Sequence, residues 1–188
     1  MKSLFFAATV AVSLIATQAC AGTITSELQF GNPSSTGANF TEYKLDSSVP
    51  LPLGKGFNLG SELTVKQSDN EGPVTGKLSG RLEYGLSDVV GFKPTIYGEY
   101  GNAFAVNHNF SFVGVGAKVS RPLVHNVNVD AGIRRRQDSK SNIDNVENRY
   151  NVGVSYDIMK DTKLGLEYYR INGTSTSNVI GIITGRKF

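Results

Sequence analysis

From Ile24 to Phe188, apolar and polar residues exchange places at period two, in about ten stretches separated by polar or glycine-bearing breaks. Between positions 74 and 86, Val74, Gly76, Leu78, Gly80, Leu82, Tyr84 and Leu86 take the even places, while Lys77, Arg81 and Glu83 take odd ones. Successive side chains of a strand point to opposite faces, so such a stretch makes a strand with one apolar and one charged face. The pattern predicts strands near 23–31, 38–48, 56–66, 74–86, 92–103, 110–121, 126–136, 147–158, 162–172 and 178–188. No helical periodicity of useful length interrupts them.

Sorting the strands by face decides the solvent. On one side fall Glu27, Glu42, Asp46, Glu62, Glu83, Glu99, Asp130, Asp157 and Glu167. The same side takes Lys44, Lys66, Lys77, Arg81, Lys93, Lys118, Arg134, Arg136, Arg149, Lys163 and Lys187. The other side carries the apolar stripe, from Ile24, Leu28 and Phe30 to Ile180, Ile182 and Phe188. A soluble sandwich would have to bury either this charge or expose this apolar surface, and both are unfavourable. A closed antiparallel barrel in lipid reverses the faces, apolar outward and charged inward. The expected fold is therefore an all-β transmembrane barrel of about ten strands, with eight to twelve compatible with the pattern.

The first residues read differently. Lys2 precedes an apolar run from Leu4 to Ile15, and Ala19-Cys20-Ala21 supplies small residues where a signal peptidase reads. This predicts a signal peptide over 1–21 and a barrel domain over 22–188. Cys20 is the single cysteine, so cleavage after Ala21 leaves a mature chain without thiol chemistry. The competing reading, a lipidated Cys20, lacks the leucine usual three residues earlier, where Thr17 stands. A formal net charge of +3 gives no reason to expect nucleic-acid binding. The 21 glycines and the eight tyrosines and ten phenylalanines, against two methionines, suit turns, strands and aromatic girdles.

With tighter turns after even-numbered strands, longer polar breaks after odd-numbered ones and the terminal run Ile180, Ile182, Phe188, the chain resembles the small bacterial outer-membrane β-barrel proteins, including minor porins. Thr184 and Arg186 depart from that terminal pattern, where larger apolar residues are common. The resemblance implies export through the periplasm to the outer membrane of a Gram-negative envelope. It also makes Phe188 part of the signal read by the barrel-assembly machinery, and outer-membrane lipid and lipopolysaccharide the surroundings. It implies a porin-like passive channel for small solutes, anions among them. The alternatives are a plugged structural or surface-binding barrel without transport, and an outer-membrane lipid-modifying enzyme. Oligomeric state and any loop-binding partner stay open.

Candidate chemistry is concentrated in the lumen. Barrels of about eight strands are filled by their own side chains, and wide aqueous channels need more strands. Arg81, Glu83, Asp130, Arg134, Arg136 and Arg149 form the expected lumen charge cluster. Read as a pore, its arginines make an anion-favouring constriction. Read as structure, they pair with Asp130, Glu147 and neighbouring acids. Three arginines break the outward stripe: Arg135, Arg170 and Arg186. Arg135 and Arg170 lie near strand ends, where contact with lipopolysaccharide phosphates competes with simple exposure to water. Enzyme chemistry has only His108, read as a loop residue, and Ser111 to offer, three residues apart and so on opposite strand faces. No catalytic residue, metal site or cofactor is expected.

Overall fold

The computed structural model describes residues 22–33, 38–69, 74–105, 108–139 and 146–188. The expected signal segment and part of the longest expected loop, 140–145, lie outside them. Ten strands follow one another: β1 (Thr23–Pro33), β2 (Phe40–Pro50), β3 (Phe57–Ser68), β4 (Thr75–Gly85), β5 (Lys93–Ala105), β6 (His108–Val124), β7 (Val127–Asp138), β8 (Val146–Met159), β9 (Thr162–Asn172) and β10 (Thr176–Lys187). Each pairs antiparallel with its sequence neighbours, and β1 pairs with β10 to close the barrel. Every strand expected from the alternation is present, with ends displaced by a few residues. His108 differs: its backbone opens β6 opposite Ala105 and is not in a loop.

The two barrel ends are unlike. The end carrying both termini, here the terminal end, has two-residue turns at His125-Asn126 and Lys160-Asp161. Asn126 adopts a positive φ, 65°, a conformation Asn tolerates better than most residues, whereas the Lys160-Asp161 turn contains none. At the β4–β5 turn, Val90 and Gly91 both have positive φ, and the Asp88 carboxylate accepts the Gly91 N–H at 2.8 Å. A β-branched residue at φ 55° is strained, so the tight turn and its Asp88 cap hold Val90 against its own preference. The seam is tied at this end too, where the Phe188 N–H donates to the Gly22 carbonyl at 2.9 Å. The six-residue β2–β3 connection, 51–56, is at this end as well, and the opposite, loop end carries the connections that follow the odd-numbered strands.

The faces divide as the alternation requires. Val115 is 64% exposed on the outside, while Glu62 inside is 2% exposed. Aromatic side chains border the outward apolar band: Phe30, Phe104, Tyr150 and Tyr168 toward the loop end, and Phe57, Tyr84, Tyr156 and Phe188 toward the terminal end. Such girdles belong at the two interfaces of a membrane. Inside, glycines make room for large neighbours. A Cβ on Gly31 would run into the Phe40 ring, and one on Gly101 would meet the Phe112 ring.

Outward Gly80 has nothing within 4 Å of a built Cβ. Gly80→Val is therefore expected to refold in detergent like the parent, judged by heat-modifiable migration in gels. Gly31→Val is expected to lose about 1–3 kcal/mol through overpacking and to shift toward the unfolded band. Equal behaviour of the two variants would contradict the assigned faces.

Candidate functional site

The lumen holds a continuous lattice of charged side chains centred on Glu62 of β3. Its Oε2 lies 3.0 Å from Arg134 Nη1 and 3.4 Å from Arg81 Nη1, and its Oε1 lies 2.7 Å from Arg136 Nη2. Arg134 and Arg136 come from β7, well around the wall from β3, so these bonds cross the bore. Glu99 of β5 receives Arg136 through two bonds, Nε at 2.6 Å and Nη2 at 2.9 Å, a forked geometry that fixes the guanidinium plane. Arg81 spreads over Asp46 (2.7 Å), Glu62 and Glu83 (3.2 Å). Glu147 sits between Lys77 at 3.2 Å and Arg134 at 3.7 Å.

A second group joins the lattice on the β1, β9 and β10 side. Arg149 donates to Gln29 Oε1 at 2.9 Å, approaches Glu42 at 3.8 Å and lies over the Tyr169 ring at 3.8 Å. The Tyr169 hydroxyl bridges Glu27 and Glu167, and Lys44 closes on Glu27 at 2.9 Å. Arg136 similarly lies 4.7 Å over Phe112. Aromatic faces thus take over part of the neutralisation that a second carboxylate would otherwise supply. Buried charges are tolerated only when paired and hydrogen-bonded, and this network meets that condition for most of its members.

Of the expected cluster, Arg81, Glu83, Arg134, Arg136 and Arg149 are brought into this lattice. Asp130 is not. It faces the bore nearer the terminal end, against Gly153, and forms no ion pair among the described residues. The acids that organise the arginines, Glu62, Glu99, Glu42 and Asp46, lie on the inward face in sequence but come from strands distant along the chain. Only the stagger of the closed barrel selects them, so strand-by-strand reading could not. A fourth outward arginine, Arg121, was also missed; it lies 4.7 Å over the Phe92 ring near the terminal end. Arg186 is 5.9 Å over Phe188 at the same end. Arg135 and Arg170 are exposed and outward on β7 and β9, and neither makes an ion pair among the described residues.

Two cavities enter the bore. One of about 230 Å³ lies at the loop end, rimmed by Gly173, Thr174 and Ser175 and floored by Glu42, Arg136 and Arg149. The other, of about 490 Å³, lies at the terminal end and reaches Glu62, Arg81 and Arg134. The lattice stands between them, and Arg149 lines both. The hydroxyl of Ser111 is engaged with Asn102 Oδ1 at 2.7 Å, and the His108 side chain lies outside the described residues. Among the described residues, no group of His, Cys, Asp or Glu is arranged to hold a metal ion.

No protein-family model matches the sequence, and no curated protein matches it significantly. Solved structures do match its shape. An outer membrane channel from Pseudomonas putida F1 superposes with a TM-score of 0.59 at 10% identity, over 92% of this chain and 97% of that one. The beta domain of the Bordetella autotransporter BrkA gives 0.57 at 10% identity, over 89% and 98%, and the NanC porin 0.53 at 10%, over 87% and 100%. The fold is that of the small bacterial outer-membrane β-barrels. Identities this low establish architecture, and the lattice must be judged on its own chemistry.

Glu62→Ala removes the shared anion from three buried guanidinium groups. It is expected to lower stability by about 3–5 kcal/mol, the usual cost of orphaning buried charge. Lys77→Ala breaks a partly exposed pair and is expected to cost under about 1 kcal/mol. Urea unfolding of the refolded barrel in lipid vesicles compares the two; a smaller loss for Glu62→Ala would remove it from the centre of the lattice.

Proposed function

We propose that the chain is a narrow, porin-like passive channel of the outer membrane, passing small solutes with a slight preference for anions. The observation that carries this reading is that cavities enter from both ends and only side chains lie between them. Among the described residues every strand belongs to the wall, and no helix or inserted strand fills the bore. A barrier of side chains can part by rotamer changes, which need far less rearrangement than expelling a folded plug. Arg81 Nε and Arg134 Nε have no acceptor among the described residues, and water entering the bore can serve both donors. Two structures sharing the fold are named as a channel and a porin, which accords with this reading.

The anion preference rests on the balance of lining charge. Leaving out the outward Arg186, nine basic side chains and seven acidic ones line the terminal-end cavity, and four and three line the loop-end cavity. The constriction itself is nearly balanced, because Arg134, Arg136 and Arg149 are matched by Glu62, Glu99 and Glu42. Selectivity is then expected to be weak, set by the vestibules and reduced by salt. In this reading both termini face the periplasm, and the loop end faces outward.

Refolded protein in planar bilayers is expected to show small, stable conductance steps. Removing two guanidinium groups in Arg134→Ala/Arg136→Ala is expected to enlarge the steps and move the reversal potential toward cation permeation. A plugged structural barrel predicts no steps at high protein load in either form, and that result would overturn the channel.

The outer surface supports a lipid partner. Arg135 on β7 and Arg170 on β9 flank β8, where Tyr150 pairs with Arg170 and Asn148 with Arg135. Two exposed guanidinium forks at the level of Tyr150 fit phosphates of lipopolysaccharide. Arg135→Gln/Arg170→Gln is expected to reduce the lipopolysaccharide retained through purification severalfold, as measured by mass spectrometry. Unchanged retention would leave the arginines as solvent-exposed strand ends.

A further inference from the structure

We propose that the loop-end cavity binds a small monoanion with an apolar body, an aromatic or short branched carboxylate, held by Lys66 beside the rings of Phe40 and Phe112. This deepens the channel reading and rests on it, since it names the solute class that would enter from this end.

Charge makes the first argument. Of the four cations lining the cavity, Arg136 is held by Glu62 and Glu99, Arg149 by Gln29 and Glu42, and Lys77 by Glu147. Lys66 alone of the four has no ion pair among the described residues. Its Nζ lies 3.6 Å from the centroid of the Phe40 ring. Of the acids lining this cavity, Glu42 and Glu147 are already engaged by Arg149 and Lys77, and Asp138 also has a partner. A carboxylate arriving here meets an ammonium that lies against a ring face and opposite Glu42 but has no ion pair of its own among the described residues.

The wall makes the second. Phe40, Phe110, Phe112, Val146 and Ile171 line this cavity, although inward positions elsewhere in the bore are mainly charged or small. Phe40 and Phe112 are 4% and 2% exposed, and each ring is seated over a glycine, Gly31 and Gly101, with no room for a Cβ. Rings fixed in this way lose little freedom when a ligand packs on them. Fixed apolar surface beside an unpaired ammonium complements a carboxylate joined to a ring or a branched alkyl group.

Size and sign then narrow the class. At about 230 Å³ the cavity is smaller than the about 300–1,000 Å³ typical of sites for drug-sized ligands, which limits the occupant to about one ring. A dianion would set its second charge against Glu42 or Glu147, and a cation would face Lys66 and Lys77. Benzoate should therefore bind better than phthalate, acetate or benzylamine.

Saturation-transfer NMR of benzoate with the refolded full barrel in uncharged detergent tests this, with empty micelles as the blank. Saturable binding is expected, weakened at least tenfold in Lys66→Met, retained in Lys66→Arg and unchanged in Lys163→Met, which alters the other cavity. Non-saturable signal, equal binding by Lys66→Met, or acetate binding as tightly as benzoate would overturn the site. Lys66→Arg keeps the charge, so its retention of binding separates a lost ligand contact from a lost fold. Bilayer conductance is read separately: benzoate binding without conductance removes the channel and leaves the site, while conductance without binding removes the site and leaves the channel.

Discussion

The pairing of β1 with β10 is the constraint on which the rest of the molecule depends. In hydrocarbon, an unpaired backbone N–H or C=O costs several kcal/mol, and an open sheet would present two edges of them. Closure removes both edges, and the register from Thr23 opposite Lys187 to Pro33 opposite Ser177 leaves no part of the seam unpaired. Once the ring is closed, the face of each residue is fixed by its parity. The apolar stripe is committed to lipid and every charge on the other stripe to the bore. The interior chemistry is thus a consequence of backbone hydrogen bonding.

A ring of ten strands encloses too little space for the inward charges to keep full hydration. They neutralise one another, and their arrangement follows from reach. Arginine spans the bore and carries several donors, so Arg134 and Arg136 cross it to Glu62 while Arg136 also grips Glu99. Lysine carries a compact charge and makes single contacts near the rims, as Lys77 and Lys118 do with Glu147 and Glu83. The waist of the barrel is built from guanidinium–carboxylate forks and the vestibules from lysines. The waist is therefore the most densely bonded part of the bore, and the vestibules hold the singly paired charges.

Much of this was legible in the chain. Period-two alternation is a local property, and it placed all ten strands, their faces and the inward position of Glu62, Glu99, Arg134 and Arg136. Of their partners Glu147, on the adjacent strand, was legible and does reach Arg134; Glu62 was not, because it and Arg134 are 72 positions apart and meet only through closure and stagger. Asp130 shows the same limit from the other side. It shares β7 and the inward parity with Arg134 and Arg136, yet lies four residues from Arg134 toward the terminal end and makes none of the lattice's ion pairs among the described residues. Parity assigns a face; height along a tilted strand assigns a neighbour, and that height is set by the whole ring.

The same distinction explains the aromatic residues inside the bore. Phe40, Phe112 and Tyr169 obey the inward parity but not the rule that the inward face is charged. Each lies under a cation, Lys66, Arg136 or Arg149. For Arg136 and Arg149 the ring supplements carboxylate or amide contacts, so the cation is fully engaged and the ring serves the lattice. For Lys66 the ring stands in place of a carboxylate. A ring face attracts an ammonium more weakly than a carboxylate does, which leaves Lys66 the member of the set with the most to gain from an anion. Glycines at 31 and 101 then acquire a joint purpose, because they seat Phe40 and Phe112 deep enough to form a wall without closing the cavity in front of them.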